Sequence, residues 1–147
     1  MLFRRKILKR SEERKIVSAI KKAEKNTSGE IRVHVETECE GGDPIARAIF
    51  IFNAIGMFNT AQRNGVLIYV SLKSRMFAII GDVGINNVIP ENFWDSIKEK
   101  MKKNFISGEI IGGIETAVLE TGELLKEKFP YQTDDVNEQP DEISSGK

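Results

Sequence analysis

Oxygen-bearing side chains dominate the chemistry available to this chain. It holds one histidine, His34, and one cysteine, Cys39. Lying five positions apart on one strand and its exit, these two have opposite side-chain parity and are badly placed to form a nucleophile–base pair. His34 reads instead as a polar-face residue that hydrogen-bonds. The sequence has no G-x-G-x-x-G, G-x-x-x-x-G-K-[ST], G-x-S-x-G or H-E-x-x-H. Two groups of carboxylates and amides remain: Glu30, Asn64 and Asp82, and a more acidic set of Glu36, Glu38 and Asp43. Oxygens drawn from side chains and loop carbonyls suit a hard cation such as Ca2+, with Mg2+ or another divalent ion as the alternative. The competing reading is that Asp82 and Glu30 cap nearby backbone or pair with Arg63 and Arg75.

Whether such residues meet depends on three strands. Residues 65–72 and 76–82 are apolar on both faces and joined by the short polar break Lys73-Ser74-Arg75, which predicts an antiparallel hairpin covered on both sides. We place that hairpin in the middle of the sheet. Residues 30–38 alternate strictly, with Ile31, Val33 and Val35 on one face and Glu30, Arg32, His34, Glu36 and Glu38 on the other, so that strand should pack one face and leave the other polar. If 30–38 and 65–72 run parallel and 76–82 runs against them, Asp82 falls at the sheet end where Glu30 and Asn64 begin their strands. Glu36, Glu38 and Asp43 fall at the opposite end.

Helices surround these strands. Ser11 is a plausible N-cap for a helix ending near Asn26, with Ile16, Ala19, Ile20 and Ala23 in its apolar stripe. Asp43-Pro44 starts a second helix that closes near Gly56. Val83 to Asn87 allows a short helical turn. Pro90 or Glu91 opens a helix carrying Phe93, Trp94, Ile97, Met101 and Phe105 and ending at Gly108; a last helix over Ile110–Leu125 is stopped by Phe129-Pro130. The expected fold class is α/β: a three-layer α/β/α sandwich, Rossmann-like, with a small mixed sheet and a central antiparallel hairpin. Its domain would span 11–130, after a basic extension at 1–10 and before a disordered acidic tail at 131–147.

Composition narrows the function classes. Lys plus Arg number 22 and Asp plus Glu number 22, so no net field steers the chain to nucleic acid or anionic membrane. The basic helix face of Arg14, Lys15, Lys21, Lys22 and Lys25 lacks the interleaved aromatics of an RNA site. No apolar run approaches the roughly 20 residues of a membrane span. A single cysteine and no secretory signal point to a soluble, cytoplasmic protein.

The runs S-G-E-I-R-V-H-V at 28–35, N-G-V-L-I-Y-V at 64–70, I-G-D-V-G-I at 80–85 and F-I-S-G-E-I-I-G-G-I at 105–114, in this order and spacing, resemble the TPM domain family over about residues 11–130. That family is named for thylakoid-lumen and photosystem-repair proteins and also occurs in bacteria. The resemblance implies an α/β/α sandwich, binding of calcium or another divalent cation near one sheet end, and, from a plant member, acid phosphatase activity. The family's recurrent positions match Glu30, Asn64, Gly65, Gly81, Asp82 and Gly84. Many members carry a signal peptide and a membrane anchor; this sequence shows neither, which points away from a lumenal or envelope role. The leading expectation is a divalent-cation-binding domain with a regulatory or structural role. The alternatives are a metal-dependent acid phosphatase acting on phosphomonoesters and a metal-free protein-interaction domain.

Overall fold

Alternation in the strands and a 3.6-residue period in the helices account for the order of elements in the computed structural model, which describes residues 7–90, 92–131 and 143–145. These are α1 (Arg10–Glu24), β1 (Glu30–Glu36), α2 (Pro44–Ala54), β2 (Gly65–Ser71), β3 (Met76–Gly81), α3 (Val83–Asn86), α4 (Asp95–Ile106), α5 (Ile110–Leu125) and β4 (Ser144–Ser145). The fold is mixed α/β. The small mixed sheet has the order β3-β2-β1-β4, with β4 a two-residue strand at one edge.

β1 and β2 are parallel, in register from Glu30 opposite Gly65 to Glu36 opposite Ser71. β2 and β3 form the expected antiparallel hairpin. It is not central, however: β2 is interior and β3 lies at the edge. Two-faced apolarity reports coverage above and below a strand, which an edge strand can also have. Val66, Ile68, Val70 and Ile79 pack on one face with residues of α1, α4 and α5, while Leu67, Tyr69 and Ala78 pack on the other with Ala48, Ile51 and Phe52 of α2.

Helix boundaries follow local chemistry. α2 begins as expected, with Asp43 accepting from the N–H groups of Ile45 and Ala46, each at 3.1 Å. α1 starts earlier than the Ser11 cap suggested, because the Lys9 N–H donates to the Glu12 carboxylate at 2.8 Å and so satisfies the N-terminal turn from three residues ahead. α4 starts at Asp95, later than Pro90 or Glu91, after a turn that ends at Trp94. Leu8 is buried and Ile7 packs against the core; residues 1–6 of the expected basic extension lie outside the described part. Most of the expected acidic tail also lies outside it, but Ser144–Ser145 within that stretch form β4. Among the described residues, no helix is long and apolar enough to cross a membrane.

α1 and α5 approach closely at Gly122, where a Cβ would sit 2.8 Å from Ala23 Cβ and 3.0 Å from Ala23 Cα. Even one methyl therefore forces the helices apart. We expect Gly122→Ala to cost about 1–3 kcal/mol of unfolding free energy, read from the urea midpoint at unchanged slope. A variant as stable as the parent would contradict this packing.

Candidate functional site

The parallel register carries Glu30 and Asn64 to one rim of the sheet. The Glu30 N–H donates to the Asn64 carbonyl at 3.3 Å, and the Asp82 N–H donates to the Gly65 carbonyl at 2.9 Å. The starts of β1 and β2 and the end of β3 therefore share one end of the sheet, as strand polarity predicts. All three side chains are buried, Glu30 at 4%, Asn64 at 1% and Asp82 at 5% exposure.

Their partners differ. Arg63 grips Asp82 through two parallel bonds, Nε to Oδ2 at 2.7 Å and Nη2 to Oδ1 at 2.9 Å. Asp82 Oδ1 also accepts from the Val83 N–H at 2.7 Å, capping α3. Both features of the competing reading, a backbone cap and an Arg63 pair, are therefore present at Asp82. The guanidinium is 47% exposed although its carboxylate is buried, so it closes the rim from the solvent side. These hydrogen bonds also raise its basicity. Arg63 has a left-handed backbone, φ 51°, and its carbonyl accepts the Gly84 N–H at 2.9 Å. Only glycine fits there, since a Cβ at position 84 would lie 2.1 Å from the Gln62 carbonyl oxygen. Gly84 thereby holds the 62–63 loop against the start of α3.

Asn64 is in a different condition. Its N–H donates to Thr60 Oγ1 at 3.2 Å. Its side-chain oxygen is buried and has no hydrogen-bond partner among the described residues. A buried acceptor left this way costs about 1–3 kcal/mol. Carboxylate and amide oxygens are the ligand types that a hard cation takes. Arg63 stands in the way, holding both oxygens of Asp82. Among the described residues, no group of three or more His, Cys, Asp or Glu side chains is arranged to hold a metal.

The opposite end does not gather its three acids. Asp43 is the cap of α2, and Glu38 faces Lys73 at 3.4 Å in the open. Glu36 is 1% exposed and is the centre of a buried polar cluster. It receives Arg47 Nε at 2.9 Å and Nη2 at 3.0 Å, the Tyr69 hydroxyl, and His34 Nε2 at 3.2 Å. The alternating face of β1 is therefore not solvated as expected: Glu30, His34 and Glu36 are buried, and Arg47 reaches over from α2 to meet the charge. Reading the sequence missed Arg47 and Tyr69. The available signals were a lone cation among apolar α2 residues and a tyrosine opposite His34 in an otherwise aliphatic strand.

Burial pushes the Glu36 carboxyl upward, but hydrogen bonds from Arg47, Tyr69 and His34 outweigh it and hold the group below its ordinary 4.5. Burial lowers His34 from 6.5, with the Glu36 contact opposing. Burial and then the Glu36 hydrogen bond raise Tyr69. Because a carboxylate only accepts, His34 Nε2 is the donor in that contact, and in the neutral ring Nδ1 carries the lone pair.

A family model described as TPM domain matches residues 3–124. The chain is similar to the NMR structure of the BA42 protein from the psychrophilic bacterium Bizionia argentinensis, with 42% identity and a TM-score of 0.90 over 99% of this chain and 100% of that one. Two further NMR structures share the fold at low identity. The N-terminal domain of cg2496 from Corynebacterium glutamicum has 14% identity and a TM-score of 0.63 over 96% of this chain and 81% of that one. The N-terminal domain of a P. gingivalis protein has 18% identity and a TM-score of 0.69 over 86% and 82%. No protein with curated function matches the chain.

Replacing Glu36 by Gln removes the charge facing Arg47, and should cost about 3 kcal/mol in chemical denaturation near neutral pH. Acid should also destabilise the fold. His34 binds its proton more weakly folded than unfolded, so its contribution is full above 6.5 and declines as pH falls through the folded value. Glu36 contributes with the same sign below 4.5. A plot of stability against pH should fall on acidification from neutrality, and His34→Gln should flatten its upper part. A curve that rises toward acid would contradict both assignments.

Proposed function

Because this chain belongs to the TPM domain family, we propose that it is a divalent-cation-responsive binding domain, with a regulatory or structural role, whose rim takes up Ca2+ in exchange for the Arg63 guanidinium. Glu30, Asn64 and Asp82 would hold the ion. Family membership and the two apolar clusters on opposite sheet faces also support the three-layer, Rossmann-like α/β/α arrangement.

One observation carries the proposal: at the sheet end that also holds the buried Glu30 and Asp82, the Asn64 side-chain oxygen is buried and has no hydrogen-bond partner among the described residues. A hard cation supplies what that oxygen lacks. Arg63 can leave, because its side chain is 47% exposed and its head group would rehydrate on swinging out. The ion supplies charge neutralisation and coordination; the chain supplies a rim held by Gly84 and by strand register.

Hydrolysis of a phosphomonoester needs a nucleophile or metal-activated water together with cationic contacts to the phosphoryl group. The rim cation Arg63 is engaged with Asp82, so no specific observation favours the acid phosphatase reading over binding.

A two-dimensional NMR titration with Ca2+ tests the proposal. Shifts should centre on Glu30, Asn64 and Asp82–Gly84. Arg63→Gln should tighten binding by roughly fivefold, since breaking a half-exposed pair costs about 1 kcal/mol. Asp82→Asn keeps the cap on Val83 but should weaken binding at least tenfold. The proposal fails if millimolar Ca2+ moves no rim amide, or if Arg63→Gln binds no more tightly than the parent.

A further inference from the structure

The two edges of β1 are paired very unequally. Toward β2 it has seven register pairs; on the other side it has two, His34 with Ser144 and Val35 with Ser145, in parallel orientation. Further along this outer edge, the Ile31 N–H is taken by the Glu24 carboxylate of α1 at 2.9 Å. That leaves Val33–Val35 as the stretch that a strand can use, and Ile143–Ser145 is seated there.

The seated segment has a side-chain code. Ile143 packs against the core cluster that contains Val33 and Val35. Ser144, on the alternate face, places its hydroxyl 2.8 Å from His34 Nδ1 and 3.5 Å from the Val33 carbonyl. Since His34 Nε2 is committed to Glu36 as a donor, neutral Nδ1 is an acceptor and selects a residue with an O–H. The required pattern is an aliphatic residue followed by Ser or Thr, in extended backbone parallel to β1. Backbone pairing at a sheet edge supplies affinity, and alternate side-chain positions supply selectivity. An edge held by two residue pairs exchanges its occupant more readily than one held by seven.

We propose that the outer edge of β1 at Val33–Val35 is an acceptor site for an extended aliphatic–Ser/Thr segment of a partner protein, and that Ile143–Ser145 fills it in cis until displaced. The site is separate from the Arg63–Asp82 rim, at the other end of the strand, and does not depend on cation binding. His34 is its selectivity residue, and the Glu36 cluster fixes the ring that makes the selection.

The probe is a synthetic peptide of residues 141–147, added to the isotope-labelled full chain and to two full-length variants that eject the cis strand. Ser144→Pro removes a backbone N–H and restricts φ; Ile143→Asp removes the apolar anchor. Unchanged amide shifts in β2 and α5 report that each variant remains folded. Both variants should bind the peptide at least tenfold more tightly than the parent, with shifts confined to residues 31–36. A peptide carrying Ser144→Ala should bind at least fivefold more weakly than the unaltered one. The proposal is overturned if the peptide binds neither variant, if it binds parent and variants equally, if the Ala peptide binds as well, or if the shifts fall elsewhere.

Discussion

The parallel register of β1 on β2, Glu30 opposite Gly65 through Glu36 opposite Ser71, is the constraint on which the other features of this protein depend. It sets Glu30 beside Asn64 at one end of the sheet and His34 beside Tyr69 toward the other. Slipping it by one residue would turn Ile31, Val33 and Val35 away from α1 and α5 and drive Glu30, His34 and Glu36 into that apolar cluster. The same hydrophobic pattern that builds the core therefore fixes the position of every polar group discussed above.

The two ends of the sheet settle their buried charge differently. At the Glu36 end, each oxygen has partners, and Arg47, Tyr69 and His34 all converge on it from β1, β2 and α2. A network so fully satisfied rigidifies its surroundings. At the Asp82 end, one carboxylate is satisfied by a half-exposed arginine, while the Asn64 amide oxygen at the same end of the sheet has no hydrogen-bond partner among the described residues. Unsatisfied buried groups are uncommon in native proteins, and each invites an account. A half-exposed guanidinium at the rim and an unmet oxygen at the same sheet end are the two features on which the proposed exchange of occupants rests.

Much of this was legible in the amino-acid sequence because it rests on local patterns. Alternation in 30–38, of which 30–36 form β1, the short polar break at 73–75 and the Asp43-Pro44 cap each report their own geometry, and strand polarity then followed from element order. Position across the sheet was not legible, because the apolar faces of β3 reflect helices above and below it and say nothing about lateral neighbours. Solvation of the polar face of β1 was misjudged for a related reason: burial of Glu36 requires a cation from a different element, and Arg47 on α2 is eleven residues away along the chain. Arg63 could be identified as a candidate partner of Asp82, but whether it engages that carboxylate depends on the left-handed turn that aims it. β4 was missed because two serines in a polar stretch have no strand pattern of their own; their place is defined by His34.

The central claim is that Arg63 and a divalent cation are alternative occupants of one rim. The side-chain Nε–H of Arg63, followed by NMR, reads this most directly. Without cation it should be protected from solvent exchange by its 2.7 Å bond to Asp82, and saturating Ca2+ should abolish that protection as the guanidinium swings into water. Protection that persists unchanged while Ca2+ is bound would show that the two do not compete, and the account of this rim would be wrong.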